Sequence, residues 1–510
     1  MAHKDNQSMP IPIVNSIASW FLKKRFHQIE LFLKYPHDVQ NELLFSLLKT
    51  AKDTEIGKRY DFTSIKSYED FNSRLPVVNY EIIQPQIERS RQGEQNILWP
   101  SHIKWFAKSS GTTNAKSKFI PVSDEAIENC HLKAGKDMLC LYINNNEETA
   151  LFNGKALRLG GSNAVYEDNN SYFGDLSAII IENMPFWADF SSAPSQETAL
   201  MSEWETKMEA IINETIHENI TSLVGVPSWM LVLLNRVLEK TGKNNILEVW
   251  PNLEVYFHGG VNFNPYREQY RKLIPKKDFK YYETYNASEG FFALQDVNGS
   301  LDLLLMLDYG IFYEFIPMSE YRGENSIAIP LSQVKKGKNY AVVISTNGGL
   351  WRYLIGDTVK FTSLSPYKIK ITGRTKHHIN VFGEELIIEN AEEALRLACK
   401  KTKSTITDYT VGPIFMNGKK QGSHEWVIEF AKAPQNLEYF TELLDNALKS
   451  INSDYEAKRY NNMTLVMPKI HSVKKGLFYS WLKKKGKLGG QHKVPRLSNK
   501  RDFVEELINL

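Results

Sequence analysis

Along this 510-residue sequence the spacing of apolar side chains switches repeatedly between the period of a helix and that of a strand. There is no internal repeat and no long low-complexity linker. A chain patterned this way has to pack helices against sheets, so the expected fold class is mixed α/β. Helical spacing covers residues 38–56, 124–142, 203–217 and 228–240. Strand-like runs fall at 177–181, 253–257, 280–283, 310–316, 340–345 and 369–372, and the run at 340–345 leads into the turn Asn347-Gly348-Gly349. After Arg374 a smaller pattern begins: helix over 387–401, strands over 409–416 and 425–430, helix over 437–450. The expected division is therefore a large domain of β-sheets and helices, 1–375, and a small α+β domain, 376–510.

Composition narrows the class of protein. The 62 Lys plus Arg nearly balance 59 Asp plus Glu, a net charge of +3, so overall charge gives no reason to expect a nucleic-acid partner. No run approaches the roughly 20 apolar residues of a membrane-spanning helix, and no membrane association is expected. The three cysteines, Cys130, Cys140 and Cys399, have neither metal-site spacing nor the density of a disulfide framework, which fits a reducing, cytoplasmic setting. Residues 8–22 are uncharged, but Pro10 and Pro12 lie within them and Lys23-Lys24-Arg25 follows, so 14–35 reads as an amphipathic helix rather than a secretory leader. Charge is concentrated in 471–501, which holds ten Lys or Arg and no Asp or Glu, interleaved with Phe478, Tyr479 and Trp481. Basic residues among aromatics would suit single-stranded nucleic acid. The preferred reading is a solvated face whose aromatics pack inward.

Four segments carry chemistry. Lys108 to Lys118 (KSSGTTNAKSK) gathers hydroxyl side chains around Gly111, with lysines able to meet phosphate oxygens. It is not a Walker loop, because Ser110 and Ala115 stand where that motif needs glycine. Tyr285-Asn286-Ala287-Ser288-Glu289-Gly290 offers an aromatic face, a hydroxyl and a carboxylate suited to Mg²⁺. Leu350 to Asp357 ends in a carboxylate able to accept both hydroxyls of a ribose. Gly373-Arg374-Thr375-Lys376 lies at the expected domain junction. Motifs of a zinc protease (HExxH) or a serine hydrolase (GxSxG) are absent.

Taken in order, these segments resemble the adenylate-forming enzymes, and among them the auxin-responsive Gretchen Hagen family of acyl acid amido synthetases. The resemblance runs from about residue 75 to about 500, and Gln491 to Arg496 (QHKVPR) is similar to that family's C-terminal motif. It implies that Ser109, Ser110, Gly111, Thr112, Thr113 and Lys118 hold ATP phosphates. Tyr285 would lie against the nucleotide, Ser288 would assist at the α-phosphate, and Glu289 would bind Mg²⁺. Asp357 would take the ribose hydroxyls and Arg374 would contact ribose or phosphate. Lys376 would be the hinge of a mobile small domain that delivers Lys493 to the transferring phosphate. His258-Gly259-Gly260, and the helical region from Trp229, would line the acyl pocket. Two positions depart from the pattern: Ala115 replaces a loop glycine, and Leu354 replaces an Arg, with Arg352 two residues upstream.

The implied activity joins a small carboxylic acid, activated with ATP and Mg²⁺, to an amine, expected to be an amino acid. Two alternatives stand beside it: a ligase that hands the acyl group to coenzyme A or another thiol, and a nucleotide- or nucleic-acid-binding protein without turnover. Sequence alone names neither the acid nor the amine, and it leaves the oligomeric state open.

Overall fold

The structure is a computed structural model that describes residues 25–510 apart from 110–117, 161–165, 169–170, 186–187, 189–190, 261–262, 264–265, 376–377, 380, 382–383, 385, 416–420, 453–454, 457–458, 460–464 and 487–493. Its centre is a twelve-stranded sheet with two halves of different character. Ser192–Ala193, Lys155–Leu159, Ile220–Gly225, Val255–Gly259 and Lys280–Ala287 run parallel. From Lys280–Ala287 onward the pairing is antiparallel, through Gly290–Leu294, Leu303–Leu305, Tyr367–Arg374, Tyr353–Leu364, Asn339–Thr346, Ile311–Pro317 and Ile329–Pro330. The parallel strands read as short apolar runs because helices cover them, including Trp204–Thr215 and Pro227–Thr241. In open sheets of this kind ligands bind outside the carboxyl ends of parallel strands, which here are Gly225, Gly259 and Ala287.

A second sheet of four strands carries the hydroxyl-rich segment. Trp105–Ser109 pairs antiparallel with Lys118–Val122, and Ser109 stands opposite Lys118. The two strands therefore form a hairpin whose mouth is these two residues. After residue 375 a three-stranded sheet, Thr405–Ile414, Ser423–Lys432 and Lys469–Val473, packs the helices Ile388–Thr402 and Leu437–Ile451. This unit has its own core around Trp426, Tyr409, Phe440 and Leu444.

Most helices and strands lie where the apolar period placed them. The helix expected over 124–142 is a run of α, π and α turns from Asp124 to Asn145. The strand expected at 177–181 is instead a helix, Leu176–Glu182. Three consecutive isoleucines favour a strand locally, but so short an apolar run has no decisive period, and burying Leu176, Ala178, Ile179 and Ile181 in a helix won. Of the helix expected over 14–35, Phe26–Lys34 is seen and 1–24 lie outside the described residues.

The aromatics of the basic segment face inward. Phe478 and Trp481 are buried on the helix Leu477–Lys484, in a cluster that also holds Trp204, Trp229 and Tyr256 of the large sheet's helices and strands. They offer no stacking platform to a nucleic acid. Among the described residues, no helix is long and apolar enough to cross a membrane.

Candidate active site

The turn between the strands Lys280–Ala287 and Gly290–Leu294 places the first functional group. Ala287 pairs with Gly290, so Ser288 and Glu289 form a two-residue hairpin turn at the carboxyl end of the last parallel strand. Ser288 is buried and Glu289 half-buried. Burial raises the Glu289 carboxyl above its ordinary value, while Arg374 pulls it down, and Asp357 and Lys118 are also within electrostatic reach. The Tyr353 hydroxyl lies 3.5 Å from Glu289 Oε1.

Asp357 and Arg374 face each other in register on neighbouring antiparallel strands. Arg374 Nε donates to Asp357 Oδ1 at 2.7 Å, and the Tyr285 hydroxyl donates to Oδ2 at 2.9 Å. The Asp357 side chain is 14% exposed and that of Arg374 is 38% exposed, so the pair opens to solvent on the arginine side. A carboxylate has about four acceptor sites, and two are used here among the described residues. The Tyr285 ring is buried 4.8 Å from that of Phe292, which fixes the hydroxyl. Tyr285, Glu289, Asp357, Arg374 and Lys118 thus form one electrostatic neighbourhood, although they come from four separate stretches of sequence.

Lys118 leaves the hairpin mouth with its ammonium 5.2 Å from the centre of the Tyr80 ring, whose hydroxyl accepts from the Phe119 N–H at 2.9 Å. Ser110, Gly111, Thr112 and Thr113, like Lys376 and Lys493, lie outside the described residues. Glu289 fits a magnesium ion, since that ion is commonly held by one or two carboxylates together with substrate phosphates. Among the described residues no group of three or more His, Cys, Asp or Glu side chains forms an all-protein metal cage.

His258-Gly259-Gly260 ends the neighbouring parallel strand. A Cβ on Gly259 would stand 2.4 Å from Thr284 Oγ1 and 2.7 Å from Thr284 O, so this approach to the strand of Tyr285 requires glycine. Gly260 has φ +78°, a left-handed turn out of the strand. His258 is buried, stacked 4.2 Å from Phe263, and its Nδ1 has no hydrogen-bond partner among the described residues. Burial, with a smaller contribution from Arg267, lowers its pKa to about 3, so the imidazole is neutral. Trp229 stands apart from the carboxylate cluster, in the first turn of Pro227–Thr241, with its ring 4.8 Å from Trp204.

Arg352 does not take the place of the motif arginine. It is buried at φ +44°, with Nε and Nη2 donating to both oxygens of Glu314 at 2.9 and 2.8 Å and Nη1 donating to Asn72 O. Two residues at the site were not singled out by sequence reasoning. Tyr353 lies inside the Leu350 to Asp357 segment, and its hydroxyl reaches the cluster through Glu289. Tyr80 precedes Lys118 by 38 residues, and nothing in the sequence couples the two.

Family models match three stretches: the GH3 family N-terminal domain over 25–279, the central domain over 304–374 and the C-terminal domain over 389–502. The chain is 22% identical to indole-3-acetic acid-amido synthetase GH3.3 of Arabidopsis thaliana, over 92% of this chain and 90% of that protein. It is 24% identical to jasmonoyl–L-amino acid synthetase JAR6 of Nicotiana attenuata, over 93% and 94%. Among solved structures, GH3.15 acyl acid amido synthetase superposes with TM-score 0.77 at 15% identity, covering 100% of this chain and 97% of that one. A 2-hydroxyisobutyryl-CoA ligase shares the fold more loosely, with TM-score 0.58 at 13% identity over 92% of each.

Proposed function

This chain belongs to the GH3 family, and on that premise we propose that it is an ATP-dependent acyl acid amido synthetase. The observation that carries the proposal is the cluster of Tyr285, Glu289, Asp357 and Arg374 at the carboxyl end of the parallel strands, beside the mouth of the Ser109 to Lys118 hairpin. Asp357 takes the ribose hydroxyls with its two remaining acceptor sites, Arg374 contacts ribose or phosphate, and Tyr285 stands against the nucleotide. Residues 109–113 and Lys118 hold the phosphates, and Ser288 assists at the α-phosphate. Glu289 holds magnesium, which supplies positive charge to the phosphates.

The acid's carboxylate oxygen attacks the α-phosphorus of ATP, the bond to the bridging oxygen breaks, and pyrophosphate leaves with that electron pair. The acyl-adenylate that results is a mixed anhydride. An amino acid's amine then attacks the acyl carbon, AMP departs, and the amine's proton passes to water or phosphate. Positioning and charge neutralisation carry the first step, with Lys493 and Lys118 as the cations. The neutral His258, Gly259, Gly260 and Trp229 line the acyl side.

The division at 375/376, with Lys376 as hinge of a mobile C-terminal domain, belongs to the same proposal, as does a cytoplasmic location for a chain with three free cysteines. A pyrophosphate-release screen of carboxylic acids crossed with amino acids tests the reading, with mass spectrometry of the product. AMP formation that depends on an amino acid supports it. Dependence on coenzyme A instead identifies a thiol ligase, and ATP binding without pyrophosphate from any acid identifies a protein without turnover.

A further inference from the structure

Among the described residues, Lys360 Nζ donates to Glu389 Oε2 at 2.9 Å across residue 375, near the junction itself, and two further polar contacts tie the C-terminal part to the segments around the parallel strands. Arg496 Nη2 donates to the Tyr266 hydroxyl at 3.3 Å. On its own side Arg496 pairs with Asp408, donates to Tyr409 O at 2.9 Å and lies 4.7 Å over the Tyr409 ring. At the second point the Tyr479 hydroxyl donates to Glu205 Oε1 at 2.8 Å, and Arg236 Nη1 donates to Glu205 Oε2 at 2.8 Å. The Tyr479 ring also lies 6.5 Å from that of Trp229. Between the two points the apolar core is continuous, with Leu477, Phe478, Trp481 and Val494 in the same cluster as Trp204, Trp229 and Tyr266.

Both points reach segments that leave carboxyl ends of adjacent parallel strands, the second through Glu205, which lies on Trp204–Thr215 ahead of Ile220–Gly225 and holds Arg236 of the helix after it. Trp229 and Arg236 lie on Pro227–Thr241, which directly follows Ile220–Gly225. Tyr266 stands six residues after Gly260, on the chain leaving Val255–Gly259. The stem that carries Arg496 is itself held: Thr410 Oγ1 donates to Pro495 O at 2.6 Å, Val411 N donates to Arg496 O at 2.9 Å, and Ser498 N donates to Val411 O at 3.0 Å. Lys493 precedes Arg496 by three residues, so its Cα is within about 11 Å of that of Arg496 even along an extended chain.

We propose that Arg496–Tyr266 and Tyr479–Glu205–Arg236 form a two-point latch that sets the C-terminal part in register beside the parallel strands' carboxyl ends, making these five positioning residues for adenylation. The proposal rests on the adenylation reading and on the role given there to Lys493. Apolar contact is non-directional and tolerates sliding. Two directional contacts at separate points remove that freedom. A cation that works by neutralising developing charge loses most of its effect when displaced by an ångström or so. The latch therefore acts on rate more than on nucleotide affinity.

Tyr266→Phe and Tyr479→Phe each delete one hydroxyl and keep the ring in the core. The assay is ATP–pyrophosphate exchange with benzoate, indole-3-acetate and jasmonate as probe acids. Each variant is expected to lower kcat for exchange by about 3- to 10-fold, with KM for ATP within about twofold, as suits one hydrogen bond of ordinary net strength. The double variant is expected to lose about the product of the two. Arg496→Lys, which cannot bridge both sides, is expected to cost no more in the Tyr266→Phe background than Tyr266→Phe alone costs. Unchanged kcat in the double variant, or a loss confined to KM for ATP, overturns the latch while wild-type exchange upholds adenylation. No exchange by the wild type with any acid of the wider screen overturns the adenylation reading, and the positioning role with it.

Discussion

Replacing Asp357 by alanine separates what this carboxylate does for the fold from what it does for the nucleotide. Asp357 accepts from Tyr285 and Arg374 at 2.9 and 2.7 Å. Without it the buried Tyr285 hydroxyl has no acceptor, which costs about 1–3 kcal/mol. The Arg374 guanidinium, more than a third exposed, can turn to water, so its loss adds less than about 1 kcal/mol. ATP loses more in relative terms. Charge-assisted hydrogen bonds from the ribose hydroxyls to a carboxylate are worth about 1.5–3 kcal/mol net, or about 10- to 150-fold in Kd. Asp357→Asn keeps an acceptor for Tyr285, so its stability should lie close to wild type while its ATP affinity falls nearly as far as that of Asp357→Ala. Isothermal calorimetry with ATP and Mg²⁺, beside urea unfolding of the same variants, measures both effects. Unchanged ATP affinity in a folded Asp357→Ala protein refutes the ribose contact. Equal losses of stability in the Asn and Ala variants refute the account of Tyr285.

Three further outcomes are expected. Lys493→Ala should slow pyrophosphate release by on the order of 10²-fold in a single-turnover assay, with ATP affinity little changed. Glu314→Gln should destabilise the protein by about 3–5 kcal/mol in urea unfolding, because it leaves the Arg352 guanidinium, 3% exposed, without its charge partner; KM for ATP should not move in the folded protein. At Glu425 burial pushes the pKa up, but hydrogen bonds from His471, Arg501 and Lys469 outweigh it and hold the carboxyl at about 2. A depressed carboxylate stabilises the folded state above its ordinary pKa and loses that contribution as pH falls, so up to about 3 kcal/mol should disappear between about pH 5 and pH 2. Glu425→Gln should flatten the urea midpoint across that window, and an unchanged acid slope would count against the assignment.

Individual residues show how far the sequence could be read. Ser288 and Glu289 were legible as residue types in a motif after the strand-like run 280–283, but the two-residue turn that holds them came from the pairing of Ala287 with Gly290. Asp357 and Arg374 were each visible in a motif, but their pairing depends on the register of two strands, which no spacing specifies. Arg352 illustrates the opposite case. It lies two residues upstream of the position where Leu354 replaces the motif's Arg, yet its φ of +44° and the carboxylate of Glu314 turn it into the core. The helix at 176–182 escaped because burial, not propensity, chose its conformation.

By itself the sequence determined the mixed α/β class, the order of the chemical segments and the kinds of side chain at the site, since these follow from period and residue type. Tertiary structure alone decided which of those side chains meet. It set Tyr285 against Asp357 across 72 residues and turned the aromatics of the basic segment, Phe478, Tyr479 and Trp481, onto the helices beside the parallel strands. Contacts of that range depend on strand register and on which apolar faces are buried together. Both are properties of the whole packed chain and of no local stretch of it.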